Sequence, residues 1–121
     1  MGLDRTRLDR DYLIGRLMAV KHTMQSDSYI FVKYGPVPTS VERHWRNFQY
    51  HPKQFLDVIN KELVPYVKRL DPKLKSFYEE ELEEINKLLE PYDFPVKESL
   101  NELFSFGFWH ECKFLDDNVP N

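Results

Sequence analysis

Residues 52–70 carry the sequence PKQFLDVINKELVPYVKRL, in which apolar side chains recur at the three- and four-residue spacing of one helix face. Pro52 is compatible with a first helical turn, because an amide at that position has no intrahelical partner. Pro65 cannot donate a hydrogen bond to residue 61, so we predict a kink or a divided helix there. The stretch predicts an amphipathic helix whose inward-facing residues are Phe55, Val58, Ile59, Leu63, Tyr66, Val67 and Leu70.

Four further helices are predicted around this one, at about 4–25, 39–50, 72–91 and 96–115. Thr39 and Glu42 have the spacing of a capping box, and Asp71 followed by Pro72 is typical of a helix start. Turn-forming residues at 26–38 predict a longer loop between the first and second helices. We therefore expect an all-α fold, a compact bundle of about five helices, as one domain over residues 1–121 with flexible ends at about 1–4 and 116–121.

The first and last helices differ in their apolar pattern. The first predicts a single buried face, formed by Leu13, Leu17, Val20 and Met24. The last has one strip that includes Phe104, Gly107 and Phe108, but Phe106 and Trp109 lie on another side. Such a helix is either central in the bundle or has a second surface covered by a partner. We predict Phe106 and Trp109 as protein-interface residues.

Composition and charge narrow the class of protein. Only 4 glycines and 31% charged residues suit helices with solvated faces and argue against a turn-rich β-sandwich. The lone cysteine and the lack of a long apolar run or leader pattern predict a cytoplasmic protein with no membrane span. Residues 1–75 hold fourteen Lys/Arg against eight Asp/Glu, whereas residues 76–121 hold three against twelve. The first part can therefore carry a positive surface for nucleic acid.

Lysine and arginine residues recur along the first part of the chain, with aromatic residues between them. This pattern predicts contact with a phosphate backbone without base-specific reading. Lys33 and Tyr34 in the loop belong to the same pattern. The alternative interpretation is two solvated faces of opposite sign, whose arginines only cover apolar stems. The predicted nucleic-acid contacts are Arg16, Lys21, Arg43, Arg46, Lys53 and Lys61.

Catalytic and metal-binding patterns are weak in this sequence. His110, Glu111 and Cys112 place donor atoms close together, but there is no HExxH motif, no CxxC motif and no second cysteine. His110 and Cys112 are two positions apart, so on a helix they do not face each other. We expect no catalytic residue, no metal and no cofactor. A hydrolase or metal enzyme that uses His110 and Cys112 stays open as an alternative.

Two blocks of sequence resemble a known family. Residues 11–20, DYLIGRLMAV, are similar to the YLLGRLxAV opening of the C-terminal region of the type I-C CRISPR large subunit. Residues 103–112, LFSFGFWHEC, resemble that family's LFALGYYHQRQ signature, with Glu111 and Cys112 in place of its Gln-Arg pair. Between them, Tyr34-Gly35-Pro36 precedes the second helix, as a Tyr-Gly loop does in the family.

The resemblance implies a non-catalytic small subunit of a type I-C-like Cascade surveillance complex, equivalent to the helical C-terminal domain of the large subunit. It implies contact with nucleic-acid backbone that stabilises the R-loop, while guide RNA reads the sequence. The implied partners are the CRISPR large and backbone subunits, a second copy of the chain, target DNA and possibly guide RNA. A helical protein–protein adaptor with no nucleic-acid contact is the alternative function.

Overall fold

The computed structural model describes residues 6–28 and 37–120, and this part of the chain is all-helical. Six α-helices lie in these two ranges: α1 Arg10–Ser26, α2 Ser40–Arg43, α3 Trp45–Tyr50, α4 Pro52–Val67, α5 Pro72–Leu89 and α6 Leu103–Asn118. A short 3₁₀ turn, Glu90–Tyr92, follows α5. The all-α bundle expected from the sequence is therefore confirmed. The predicted flexible start at 1–4, most of the predicted loop and its Lys33 and Tyr34 lie outside the described residues.

Helix α1 is the centre of the bundle, and its burial corrects the prediction of a single apolar face. Every residue from Asp11 to Val20 is buried. The helix packs most extensively on α6 and also contacts α5, α4 and α2. Because neighbours cover it on several sides, α1 has no solvent face over this stretch.

The crossing of α1 and α6 depends on two glycines. A Cβ atom added to Gly15 would overlap the carbonyl oxygen of Phe104, and one added to Gly107 would overlap the carbonyl oxygen of Tyr12. Only hydrogen at the Cα position lets the two helix backbones approach this closely. Each glycine belongs to one of the two sequence blocks that carry the family resemblance.

Two predicted helix starts are confirmed by their caps. The Thr39 hydroxyl accepts a hydrogen bond from the Glu42 amide at 3.2 Å, while the Glu42 carboxylate accepts one from the Thr39 amide at 2.9 Å. Asp71 accepts a hydrogen bond from the amide of Lys73 at 2.9 Å, with Pro72 at the first helical position. These side chains satisfy amide groups that the first turn leaves without partners.

Other predicted boundaries were wrong. The helix expected over 39–50 is two short helices, because His44 leaves helical geometry while its imidazole contacts Glu62 and Phe55. Helix α4 runs undivided through Pro65 and ends at Val67. Helix α1 begins at Arg10 rather than near residue 4, and α6 continues to Asn118, so the expected frayed end at 116 is helical to that point.

The last helix begins at Leu103, not at residue 96. The backbone amides just before it bond to other elements: Leu100 donates to the carbonyl of Gln49 at 2.8 Å, and Asn101 donates to the carboxylate of Asp11 at 2.8 Å. Val96 and Leu100 are buried in this non-helical connection. Since its amides have partners outside the segment, the connection does not need helical hydrogen bonds.

Candidate nucleic-acid interface

The burial of Arg16 disfavours its predicted role as a phosphate contact. Its side chain is 2% exposed, inside the junction of α1, α5 and α6. The guanidinium lies 2.9 Å from the Glu111 carboxylate and 3.5 Å from that of Glu81. A buried charge needs such partners, and here they hold Arg16 away from any external phosphate.

The same junction perturbs the titration of Glu111. Burial, together with the neighbouring Glu81, raises the pKa of Glu111 to about 7 against the opposing effect of Arg16. One guanidinium therefore faces two carboxylates in a space closed to water. A proton held by the pair relieves their repulsion at acidic pH.

Lys21 is half-buried and does not lie on an open basic surface. Its side chain lines a cleft between α1, α4 and α5. Burial lowers the pKa of its ammonium group to about 8. A partly neutral amine in an apolar cleft is poorly suited to hold a phosphate, which disfavours the predicted role of Lys21.

Arg43 and Lys61 are exposed but already paired. Arg43 bonds to the carboxylate of Glu62, which His44 also contacts at 3.1 Å. Lys61 lies 3.0 Å from Asp57, one turn away on α4. A phosphate would have to displace these carboxylates, so both cations are weaker candidates than the sequence indicates.

Arg46 and Lys53 are the predicted contacts that stay available. Both side chains are exposed, and neither forms an ion pair with any residue in 6–28 or 37–120. Arg46 lies one turn before the exposed Tyr50 on α3. Lys53, at the start of α4, lines a shallow cleft together with His51 and Lys97. We call this surface the α3–α4 corner: Arg46, Tyr50, His51, Lys53 and Lys97.

Lys97 is a member of the corner that the sequence did not reveal. The sequence pattern predicts Lys97 in the last helix, whereas the connection of turns and bends before α6 carries it beside α4. The Ser99 hydroxyl donates to the Tyr50 carbonyl at 3.3 Å, and the Gln49 side chain donates to the Leu100 carbonyl at 3.4 Å. These bonds hold residues 97–100 against the end of α3. Arg10 and Glu98, 3.9 Å apart, lie at the edge of the neighbouring depression.

Phe106 and Trp109 form the outer apolar patch of α6. Phe106 is 46% exposed and Trp109 is 65% exposed. They lie three residues apart, and therefore on one face of the helix, opposite the buried strip that includes Phe104 and Phe108. The structure leaves both aromatic side chains accessible to a partner.

His110 and Cys112 do not form a nucleophile–base pair. The His110 ring shares a hydrogen bond of 2.6 Å with the Tyr12 hydroxyl, through its Nδ1 atom. Burial raises the pKa of the Cys112 thiol to about 11, which disfavours the reactive thiolate. In residues 6–28 and 37–120, no group of three or more His, Cys, Asp or Glu side chains could hold a metal ion. Nor does any described helix combine the length and apolar character of a membrane span.

Comparison with known proteins places the sequence in a family. No curated protein matches the chain. The family model described as CRISPR-associated protein (Cas_Csd1) matches residues 1–115 of the 121. That range includes both glycine-containing blocks, whose crossing forms the centre of the fold. The chain belongs to the Cas_Csd1 family of CRISPR-associated proteins.

Proposed function

We propose that this chain is a non-catalytic small subunit of a type I-C-like Cascade complex, and that its α3–α4 corner contacts nucleic-acid backbone to stabilise the R-loop. Membership of the Cas_Csd1 family supports a role in a CRISPR complex. The observation that carries the contact is the exposure of Arg46 and Lys53 without an ion pair to any described residue. The proposed partners are the large and backbone subunits, a second copy of the chain, target DNA and guide RNA.

The corner suits backbone contact rather than base reading. Arg46, Lys53 and Lys97 supply separate positive charges, and the exposed ring of Tyr50 is available to stack on an unpaired base. Helix α3, which carries Arg46 and Tyr50, has only six residues and is too short to act as a recognition helix. Sequence reading would then rest on the guide RNA, as in other RNA-guided complexes.

The test is the salt dependence of target binding by the reconstituted complex. We expect Arg46→Gln combined with Lys53→Gln to weaken binding of target DNA at 50–200 mM salt. Loss of two phosphate contacts should also reduce the slope of log K against log[salt] by about 1.5–2.

A matched control removes the same charge elsewhere. Lys87 and Lys113 are exposed lysines in i,i+4 ion pairs on α5 and α6, so Lys87→Gln with Lys113→Gln changes the net charge equally. This control should keep the parental affinity and slope. If the two double variants had the same target-DNA affinity and the same salt slope, the result would contradict a specific contact at the corner.

The second candidate function is a protein–protein adaptor without nucleic-acid contact. The observation in its favour is the accessible pair Phe106 and Trp109. An adaptor would join the complex through that patch, and the corner variants would then bind target DNA with unchanged affinity. Isolation of the chain with a protein partner but without guide RNA would also favour the adaptor.

A further inference from the structure

A cleft of about 360 Å³ lies between α1, α4 and α5, away from the α3–α4 corner and the α6 patch. Its walls are mainly aliphatic and are formed by Met24, Leu63, Val64, Val67 and Leu82. Sites for small molecules are commonly apolar concavities of a few hundred Å³ with few polar groups. The cleft has the size and lining to hold a short aliphatic chain.

Lys21 supplies an amine to this cleft. It forms no ion pair with any residue in the two described ranges, although the carboxylate of Glu79 also lines the cleft. Lys68 and Asn60 complete the polar lining. An ammonium group without a paired carboxylate, beside an aliphatic wall, loses hydration without full compensation.

This environment favours the neutral form of the amine. Burial lowers the pKa of Lys21 to about 8, so about a quarter of the side chains are neutral near pH 7.5. An ordinary exposed lysine has a neutral fraction that is smaller by roughly two orders of magnitude at that pH. Neutral amines are the nucleophilic form, and desolvated lysines are activated in this way.

We propose that Lys21 is an acylation site that accepts a short acyl group from an aliphatic acyl thioester, with the acyl chain lying along the apolar wall of the cleft. The Lys21 Nζ lone pair attacks the thioester carbonyl carbon, an amide N–C bond forms and the C–S bond breaks. The sulfur leaves and takes up the proton that the amine loses, so the products are the acylated lysine and a free thiol. No oxidant or reductant is involved, and the proposal is independent of the proposed nucleic-acid contact.

The test uses the full chain and butyryl-coenzyme A, with peptide mass spectrometry to measure the acylation rate at each lysine. Lys61 is the internal control, because it is exposed and paired with Asp57. At pH 7.5 we expect Lys21 to react about tenfold faster than Lys61. The Lys21 rate should rise with pH and level off above about pH 9. Acylation of Lys21 no faster than Lys61 would overturn the proposal.

A substitution in the cleft wall tests whether the cleft itself, rather than the general reactivity of lysines, accelerates acylation of Lys21. Val64 lines the cleft but is 49% exposed, so Val64→Glu can place a carboxylate there with little damage to the core. With unchanged circular dichroism, this variant should acylate Lys21 at least about threefold more slowly, since the added charge favours the ammonium form. An unchanged rate in the folded variant would show that the cleft does not activate Lys21, and would also overturn the proposal.

Discussion

At the residue scale, Gly107 sets how closely two helices approach. Alanine usually stabilises an exposed helix interior relative to glycine by about 1 kcal/mol. At Gly107 the added methyl group would overlap the Tyr12 backbone, so the sign should reverse. We expect Gly107→Ala to lower the free energy of unfolding by about 1–3 kcal/mol or more, measured by urea denaturation.

The exposed Lys113 on the same helix provides the control for this substitution. Lys113→Ala removes only a surface ion pair and should change the free energy of unfolding by less than about 0.5 kcal/mol. A Gly107→Ala protein as stable as the parent would mean that α1 and α6 can separate at low cost. The close crossing would then not be a requirement of the fold.

Arg16 has a structural role that a single substitution can isolate. Arg16→Met leaves Glu81 and Glu111 buried without their guanidinium, which should cost about 3–5 kcal/mol of stability. The measurement is denaturant unfolding near pH 7.5. If the Arg16→Met protein were as stable as the parent but its complex lost DNA affinity, the result would support the phosphate contact that the sequence predicted for Arg16.

Sequence reasoning could not show that Arg16 is buried whereas Arg46 is exposed, and the reason is physical. Both are cations in helical stretches, and the apolar spacing of α1 indicated only one buried face. The partner of Arg16 lies 95 positions away on α6. No local sequence pattern shows that three helices and two distant carboxylates enclose the Arg16 guanidinium. Its burial can be recognised only from the tertiary packing.

At the element scale, the junction of α1, α5 and α6 should make stability depend on pH. The pKa of Glu111 is raised from an ordinary value of 4.5 to about 7 in the folded chain, mainly by burial. Between these values the folded state binds more protons than the unfolded state. The contribution of Glu111 is therefore fully present below about pH 4.5 and is lost as the pH rises through about 7.

The comparison of the parent with Glu111→Gln isolates this contribution. Thermal or urea unfolding from pH 5 to pH 8 should show the parent losing stability relative to Glu111→Gln as pH rises. Burial lowers the pKa of His22, which acts in the opposite direction but is common to both proteins. Parallel stability curves would indicate that Glu111 is ionised throughout this range.

Helix boundaries were predictable where local chemistry decides them. Thr39 with Glu42, and Asp71 with Pro72, begin helices because their own side chains satisfy nearby amides. At the start of α6, Asn101 also accepts a hydrogen bond from the nearby amide of Leu103 at 2.9 Å, but the bonds that hold the preceding residues outside the helix are long-range. The amides of Leu100 and Asn101 bond to α3 and α1, and a long-range partner has no signature in the local spacing.

At the scale of the whole molecule, the net charge of −3 conceals an uneven distribution of positive and negative side chains. The carboxylates Glu79, Glu80, Glu83 and Glu84 are exposed on α5, while the α3–α4 corner keeps its cations. The sequence indicated this asymmetry along the chain. The sequence could not show which cations form ion pairs within the fold, because Arg16 and Arg43 pair with carboxylates on other helices.

Substitutions in the α6 patch, Phe106 and Trp109, test whether this surface docks the chain onto a larger assembly. Phe106 is 46% exposed and Trp109 is 65% exposed, so Phe106→Ser with Trp109→Ser should cost the isolated chain only about 1–3 kcal/mol of stability. Large aromatic side chains at the centre of an interface often contribute 2 kcal/mol or more, which corresponds to about a 30-fold change in Kd. We expect the double variant to fold but to be recovered with the reconstituted complex in much lower amount. Lys87→Gln with Lys113→Gln should assemble normally, and full assembly of the aromatic variant would exclude the α6 patch as the docking surface.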